Sequence, residues 1–261
     1  MNKKTQRLNQ LISLLRIQET MQVKELAEQI QVSEMTIRRD LNELEADHII
    51  ERTHGKATFL KNNLLPIYEN IDSIYSLSSA SNTMNQEKDR IAQYAATLVE
   101  PGDVIILDNG STTDKISDYL PNIDITVVCY NLNIAVKLPK KEKIKIILAG
   151  GYFHPSDQMF ESSEGIQFLK TIRAHKLFIS ASGVHQTLGM TCAHNFEVLV
   201  KKASLESSLK KILVADSSKF GTVKTVFFSS MDDLDMIITD TGLSSEWTEI
   251  IHTKEIELVV V

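Results

Sequence analysis

Val32-Ser33-Glu34-Met35-Thr36-Ile37-Arg38-Arg39-Asp40-Leu41 is the stretch that decides how the N-terminal part of the chain is read. Ser33 is a good N-cap, because its hydroxyl can accept from an N–H of the first helical turn. Ile37, Leu41 and Leu44 then recur at i, i+4 and i+7, so they face inward. Thr36, Arg38, Arg39 and Asn42 are consequently turned toward solvent or toward a groove. Upstream, Val23–Ile30 is a helical run with apolar Val23, Leu26, Ala27 and Ile30, and Gln31-Val32 can make a short turn. The small Ala27 lets the two helices approach closely. Further upstream, Leu8, Leu11, Ile12, Leu15 and Ile17 form an apolar stripe over Thr5 to about Gln18. Two helices joined by a tight turn, the second presenting polar and basic side chains near its start, have the geometry of major-groove reading. Arg can grip guanine bidentately or hold phosphate, and Thr can touch a base edge or a thymine methyl. A blander alternative is that Arg38 and Arg39 only solvate a helix face beside Asp40 and Glu43.

The residues that follow favour the first reading. Ile49–Phe59 has the pattern of a hairpin with Gly55 near its tip, and carries Arg52, His54 and Lys56 with almost no acidic company. A basic wing beside a helix-turn-helix supplies phosphate contacts that fix register on the duplex. The Val32–Leu41 stretch, followed by Arg52-Thr53-His54-Gly55, resembles the signature of the DeoR family of bacterial regulators. That resemblance implies that Thr-Ile-Arg-Arg-Asp-Leu lies on the recognition helix and that Arg-x-His-Gly opens the wing. Ser33, Thr36, Arg38, Arg39, Asn42, Arg52, His54 and Lys56 are the candidate DNA contacts.

Charge alone would not have suggested DNA. The 261 residues carry a net charge of −6, and residues 1–62 hold 10 basic against 9 acidic side chains, the remainder 18 against 25. Affinity for a duplex must therefore come from where charges sit, and the acidic remainder should stay off the phosphates. With 43% hydrophobic and 24% charged residues the composition is that of a soluble globular protein. No apolar run approaches the ~18 residues of a membrane helix, and the start, Met1-Asn2-Lys3-Lys4, leads into no apolar signal core. Cys129 and Cys192 form no motif, which suits a reducing, cytoplasmic setting.

Residues 62–86 change character, with Ser73–Asn82 rich in Ser and Asn, and read as a linker between a domain at 1–61 and a larger one at 87–261. From 87 onward the pattern alternates. A helix over about Lys88–Val99 ends at Pro101-Gly102. Strand-like runs fall at Val104–Leu107, Ile125–Cys129, Ile144–Leu148, Leu177–Ser180, Ile212–Ala215, Met236–Thr239 and Ile256–Val261, with helical stretches between several, notably Phe196–Ser208. Such alternation predicts an α/β fold with a largely parallel sheet covered on both faces. Ligands of such sheets collect beyond the carboxyl ends of the strands.

At the first such end, Asp108-Asn109-Gly110-Ser111-Thr112-Thr113 joins strand to helix. Exposed N–H groups, the helix dipole and three hydroxyls make a phosphate cradle, though no Gly-Lys-Ser/Thr step of a Walker loop is present. Tyr130-Asn131, Gly150-Gly151, Ser182-Gly183 and Asp216-Ser217-Ser218-Lys219-Phe220-Gly221 end four further strands. Asp108 and Asp216 are candidate acceptors for hydroxyls, Lys219 a cation for phosphate, and Gly150 and Gly151 allow close backbone approach. The Asp-x-Gly-Ser-Thr-Thr, Gly-Gly and Asp-x-Ser-Lys-Phe-Gly steps resemble the sensor domain of DeoR-family proteins. This implies a fold similar to ribose-5-phosphate isomerase and a phosphosugar effector, with deoxyribose 5-phosphate the leading one.

Two other functions draw on the same residues. An isomerase needs a carboxylate base and an enediolate stabiliser. Asp108, Asp216, Glu197 and Lys219 can supply them in principle, yet no acidic pair has that enzyme's motif spacing, and an enzyme has no need of a winged helix. A metal sensor would use His175, His185, Cys192 and His194, whose spacing lacks paired ligand steps. The expectation is therefore a non-enzymatic, cofactor-free repressor that binds operator DNA as a symmetric homo-oligomer and releases it to a phosphorylated sugar, with a transcriptional activator as the variant reading.

Overall fold

The chain divides into two compact units, Met1–Ser73 and Ile74–Val261. The computed structural model describes residues 84–261 without a break. In the first unit it describes residues 20–46, 50–53 and 55–59 together with Arg7, Gln10, Leu11, Leu14, Leu15 and Gln18. Most of the expected linker, and His54, lie outside the described residues.

In the first unit those six scattered residues are helical, and Leu11 and Leu15 are fully buried. β1 (Thr20–Gln22) leads into α1 (Val23–Ile30), which stops where Gln31 takes the left-handed conformation, φ 58°. Its N–H, with that of Val32, returns to the last turn of α1, and the chain reverses within three residues. α2 (Glu34–Ala46) starts where the Ser33 Oγ accepts from the Thr36 N–H at 3.2 Å. Ile37, Leu41 and Leu44 pack with Val23, Leu26 and Ala27 in one apolar core. β2 (Ile50–Thr53) and β3 (Lys56–Phe59) form the antiparallel hairpin around Gly55, φ 82°. β1, which no period in the sequence announces, adds to the outer side of β3.

The second unit is a doubly wound sheet. Seven parallel strands lie in the order β15-β14-β12-β9-β4-β5-β6. These are β4 (Val104–Leu107), β5 (Ile125–Cys129), β6 (Ile144–Leu148), β9 (Ala174–Ile179), β12 (Ser208–Val214), β14 (Met236–Thr239) and β15 (Glu257–Val260). Both faces are apolar, because alternate residues point to opposite sides. Ile105, Leu107, Val127, Cys129, Phe178 and Ile212 enter one core with α3 (Asn85–Thr97), α4 (Ser111–Tyr119) and α5 (Leu132–Lys137). Ile106, Val128, Leu177, Ile179 and Leu213 enter the other with α6 (Ser163–Thr171), α7 (Asn195–Glu206) and α8 (Ser245–Thr253). The helix expected near Lys88 starts at Asn85, inside the span assigned to the linker, and ends at Thr97.

Two small additions were not foreseen. β7 (Tyr152–His154) and β8 (Met159–Glu161) make a hairpin, and β10 (Gly183–His185), β11 (Gly189–Cys192) and β13 (Val226–Ser229) an antiparallel sheet. The strand order reverses direction between β4 and β9, so the chain leaves these neighbours toward opposite sides and opens a crevice at their carboxyl ends. Phe178, fully buried on β9 beside that crevice, is a test of the fold: Phe178→Ala should lower the unfolding free energy of the larger unit by about 3–5 kcal/mol in urea denaturation.

Candidate functional site

The crevice between the ends of β4 and β9 holds a narrow cleft. Its walls come from the loop after β4 (Asn109, Gly110, Ser111, Thr112), the loop after β9 (Ser180, Ala181, Ser182) and the loop after β12 (Ala215, Asp216, Lys219). Val214 completes the last of these, and two helices close the space with Lys88 from α3 and Glu197 from α7. Gly110 is required where it stands: a Cβ there would lie 2.4 Å from the Ser180 Oγ.

The cleft is floored by a buried polar network. Asp108, at the end of β4, is fully buried, and its carboxylate accepts from the Lys201 ammonium at 2.5 Å, the Ser180 N–H at 2.8 Å and the Tyr130 hydroxyl. Lys201, on α7, also donates to the Ser180 carbonyl at 3.1 Å. Burial works against the Lys201 charge, yet Asp108 and Glu197 beside it hold its pKa above the ordinary lysine value. Burial and the neighbouring Asp108 likewise raise the Tyr130 phenol. Asp108 is therefore not the hydroxyl acceptor it was taken for, since its oxygens are committed inside the protein. Tyr130 points into the same network rather than into the cleft.

Other candidates also move. Asn131 is fully buried, caps α5 through Asn133 and Ile134, and donates to Asn109 Oδ1 at 2.5 Å. Thr113 donates to the Gly110 carbonyl at 2.9 Å and stays buried. Gly183 lies in β10 where a Cβ would meet the Thr222 carbonyl oxygen, so it serves packing. Gly150 and Gly151 follow β6, with β5 between that strand and β4, and line a separate open hollow with Leu148, Glu164 and Phe168. Asn109, Gly110, Ser111, Thr112, Ser182, Asp216 and Lys219 are brought together as expected. Lys88, Ser180 and Glu197 join them without having been picked out as ligand contacts: Lys88 and Glu197 are carried in by α3 and α7, where no strand-end rule points, and Ser180 stands at the end of β9 next to the residues that were.

What remains unsatisfied in the cleft indicates what it can hold. Asn109 Nδ2 and Asp216 Oδ2 are buried without a hydrogen-bond partner. Lys88, itself about 1% exposed, stands 3.7 Å from Asp216 Oδ2, and its pKa is lowered by burial and by nearby Lys219 despite that carboxylate. The first N–H groups of α4 have no partner within the helix, and the dipole favours an anion there. A donor-rich, cationic wall thus faces the Glu197 carboxyl, which accepts from the His194 N–H at 3.0 Å and lies 3.9 Å from Lys201.

In the first unit Arg38 and Arg39 are exposed on α2, and Arg38 pairs with Glu34 at 3.6 Å. Arg52 of the wing donates to Asn42 of α2 and lies 3.8 Å from Glu45, which ties hairpin to helix. Lys56 is exposed on β3. Ser33 and Thr36 share a hydroxyl contact at 2.9 Å and belong to the cap. Asp40 is buried and bound by Arg7 at 2.5 Å, a contact the sequence did not suggest. Among the histidines and cysteines that raised a metal site, His175 Nδ1 accepts from the Val104 N–H, and His185 Nδ1 from Thr187 and Leu188. Cys192 donates to the His194 carbonyl at 3.5 Å.

A winged helix-turn-helix followed by a doubly wound unit with an anion-ready cleft defines the class of two-domain, ligand-responsive DNA-binding regulators. The chain belongs to the DeoR family of transcription regulators: residues 7–63 match the DeoR-like helix-turn-helix domain and residues 83–241 the DeoR C-terminal sensor domain. It is 33% identical over 258 residues to the deoxyribose operon repressor of Escherichia coli strain K12, covering 98% of both chains. It is 32% identical over 239 residues to the glycerol-3-phosphate regulon repressor of the same strain, covering 91% of both. Among solved structures, ribose 5-phosphate isomerase A from Neisseria gonorrhoeae superposes with a TM-score of 0.40 at 18% identity, over 54% of this chain and 55% of that one. No helix among the described residues is long and apolar enough to cross a membrane.

Burial is the first cause that pushes Glu197 up to about 7 from its ordinary value of 4.5. A carboxyl whose pKa is raised on folding contributes stability that is present below 4.5 and is lost as pH climbs through about 7. Urea melts of the wild type minus those of Glu197→Gln should show that loss between these values, and a flat difference would contradict the burial of its charge.

Proposed function

We propose that the chain is a cytoplasmic repressor whose α2 and β2–β3 wing bind operator DNA and whose cleft, when filled by a phosphorylated sugar, lowers that affinity. The proposed division is a DNA-binding domain at 1–61, a linker at 62–86 and a sensing and oligomerising domain at 87–261. The observation that carries the effector reading is the pair of buried atoms in the cleft that lack a hydrogen-bond partner, Asn109 Nδ2 and Asp216 Oδ2, beside two lysines and a helix N-terminus. One donates and one accepts, as a molecule with both a phosphate and hydroxyls requires. The phosphate sits at the first turn of α4, on Ser111, Thr112 and Asn109, with Lys88 and Lys219 opposite. Hydroxyls take Asp216 and Glu197.

The name of the E. coli deoxyribose operon repressor supports deoxyribose 5-phosphate as the first effector to try, and that of the glycerol-3-phosphate regulon repressor supports a phosphorylated small polyol more generally. On DNA, Arg38 and Arg39 face the major groove, Arg52, His54 and Lys56 hold phosphates, and Asn42 sets Arg52. A symmetric homo-oligomer places two such helices on two half-sites, which one small domain alone would hold weakly. A full reversal from bound to free requires the effector to prefer the released state by ~5.5 kcal/mol.

Fluorescence anisotropy of full-length protein on DNA from upstream of its own gene, at fixed salt, tests both halves. Arg38→Ala should weaken operator binding by roughly 1–3 kcal/mol and leave effector binding intact. Lys219→Ala should bind the operator normally and no longer release it to deoxyribose 5-phosphate, glycerol 3-phosphate or ribose 5-phosphate. Unchanged release would show that the effector binds elsewhere.

A further inference from the structure

The outward stripe of α2 carries a side chain to which a cationic reading of that helix gives no part. Met35 is 77% exposed, more than any other large apolar residue among those described. It stands one turn before Arg38 and Arg39 and two before Asn42, so all four share one face, while Ile37 and Leu41 behind them are fully buried. The neighbouring groups on that face already have work within the protein. Thr36 lies half-buried with its hydroxyl 2.9 Å from Ser33, Arg38 pairs with Glu34, and Asn42 accepts from Arg52. Met35 packs into no core here, and an apolar side chain held in water is disfavoured unless something covers it.

Its position says what does. The N-terminal residues of a recognition helix are the ones that reach base edges. The apolar feature of the major groove is the C5-methyl group of thymine. An unbranched thioether side chain adapts to such a small target. We propose that Met35 reads operator sequence by packing on thymine methyl groups, supplying a preference that neither arginine provides, and that Thr36 serves the helix cap rather than a base. This rests on the operator-binding reading of the first unit.

The test needs the binding site, which selection from random duplexes with the full-length protein gives. Each thymine of the selected site is then replaced in turn by deoxyuridine, which lacks only that methyl, and affinity is measured at fixed salt for wild type and Met35→Ala. At one or two thymines per half-site the wild type should lose about three- to five-fold in affinity. Met35→Ala should bind the parent site correspondingly more weakly and be indifferent to those same replacements. Its circular-dichroism melt and its salt dependence should match the wild type, because the change removes neither a core contact nor a phosphate contact. A wild type indifferent to every deoxyuridine, or a variant with the wild-type pattern of losses, overturns the proposal. A selection that returns no preferred sequence instead removes the operator-binding reading, and this proposal with it.

Discussion

The second unit is organised around one buried ion pair, Asp108 with Lys201, at 2.5 Å. Placing two charges where water cannot reach them costs several kcal/mol each, so the pair persists only if every remaining lone pair and proton is used. Here Asp108 also accepts from Tyr130 and from the N–H and hydroxyl of Ser180, and Lys201 also donates to the Ser180 carbonyl. The pair joins the end of β4, the end of β9 and the middle of α7, three elements whose connections run to opposite sides of the sheet. Those strand ends therefore cannot splay, and the Asn109–Gly110 turn above them is held against Ser180. The cleft has a rigid floor before any ligand arrives, which reduces the ordering a ligand must impose.

A related constraint acts in the first unit. α2 bears Glu34, Asp40, Glu43 and Glu45 as well as two arginines, and an acidic side chain facing a duplex would be repelled by its phosphates. Asp40 is turned inward and neutralised by Arg7, and Glu45 lies against Arg52. α2 can present Arg38 and Arg39 outward because Asp40 and Glu45 are paired inside the domain.

What the sequence disclosed followed the periods that backbone geometry enforces. The runs Val104–Leu107, Ile125–Cys129, Ile144–Leu148 and Met236–Thr239 coincide with strands because a sheet covered on both faces needs unbroken apolar residues. β12 begins at Ser208, before the apolar part, since Ser208, Lys210 and Lys211 pair with β9 at an end of the sheet where polarity is tolerated. That displaced the end of α7, which stops at Glu206 as the Ser207 hydroxyl turns to the Leu169 carbonyl. β1, β10 and β11 are three or four residues each and exist through their partners, so no local period marks them. In the site, residues on strand-end loops were legible. Whether a given side chain aims into the cleft or beneath it was not, which is why Asp108, Tyr130 and Asn131 were misplaced. Gly150 and Gly151 failed for another reason: strand order is not written in the strands, and β6 lies at the sheet edge, two places from β9's neighbour β4.

The arrangement around Lys88 suggests how occupancy of so small a cleft can have a wider effect. Lys88 and Asp216 are each about 1% exposed and 3.7 Å apart, whereas Lys201 and Asp108 are in close contact. The Lys88–Asp216 contact is longer than that of Lys201 with Asp108, and it joins α3 to the loop after β12. Under the proposed function, a phosphate that takes part of the Lys88 charge frees Asp216 to accept from a hydroxyl of the same molecule, so the ligand replaces one long contact with two shorter ones. That exchange is a differential interaction, the only kind through which binding can shift an equilibrium between states. It acts on α3, the first helix described after the wing in chain order. Under the proposed function, an anion without hydroxyls would draw on Lys88 and leave Asp216 Oδ2 buried without a hydrogen-bond donor, so the cleft would distinguish a sugar phosphate from free phosphate by what it offers Asp216 rather than by size.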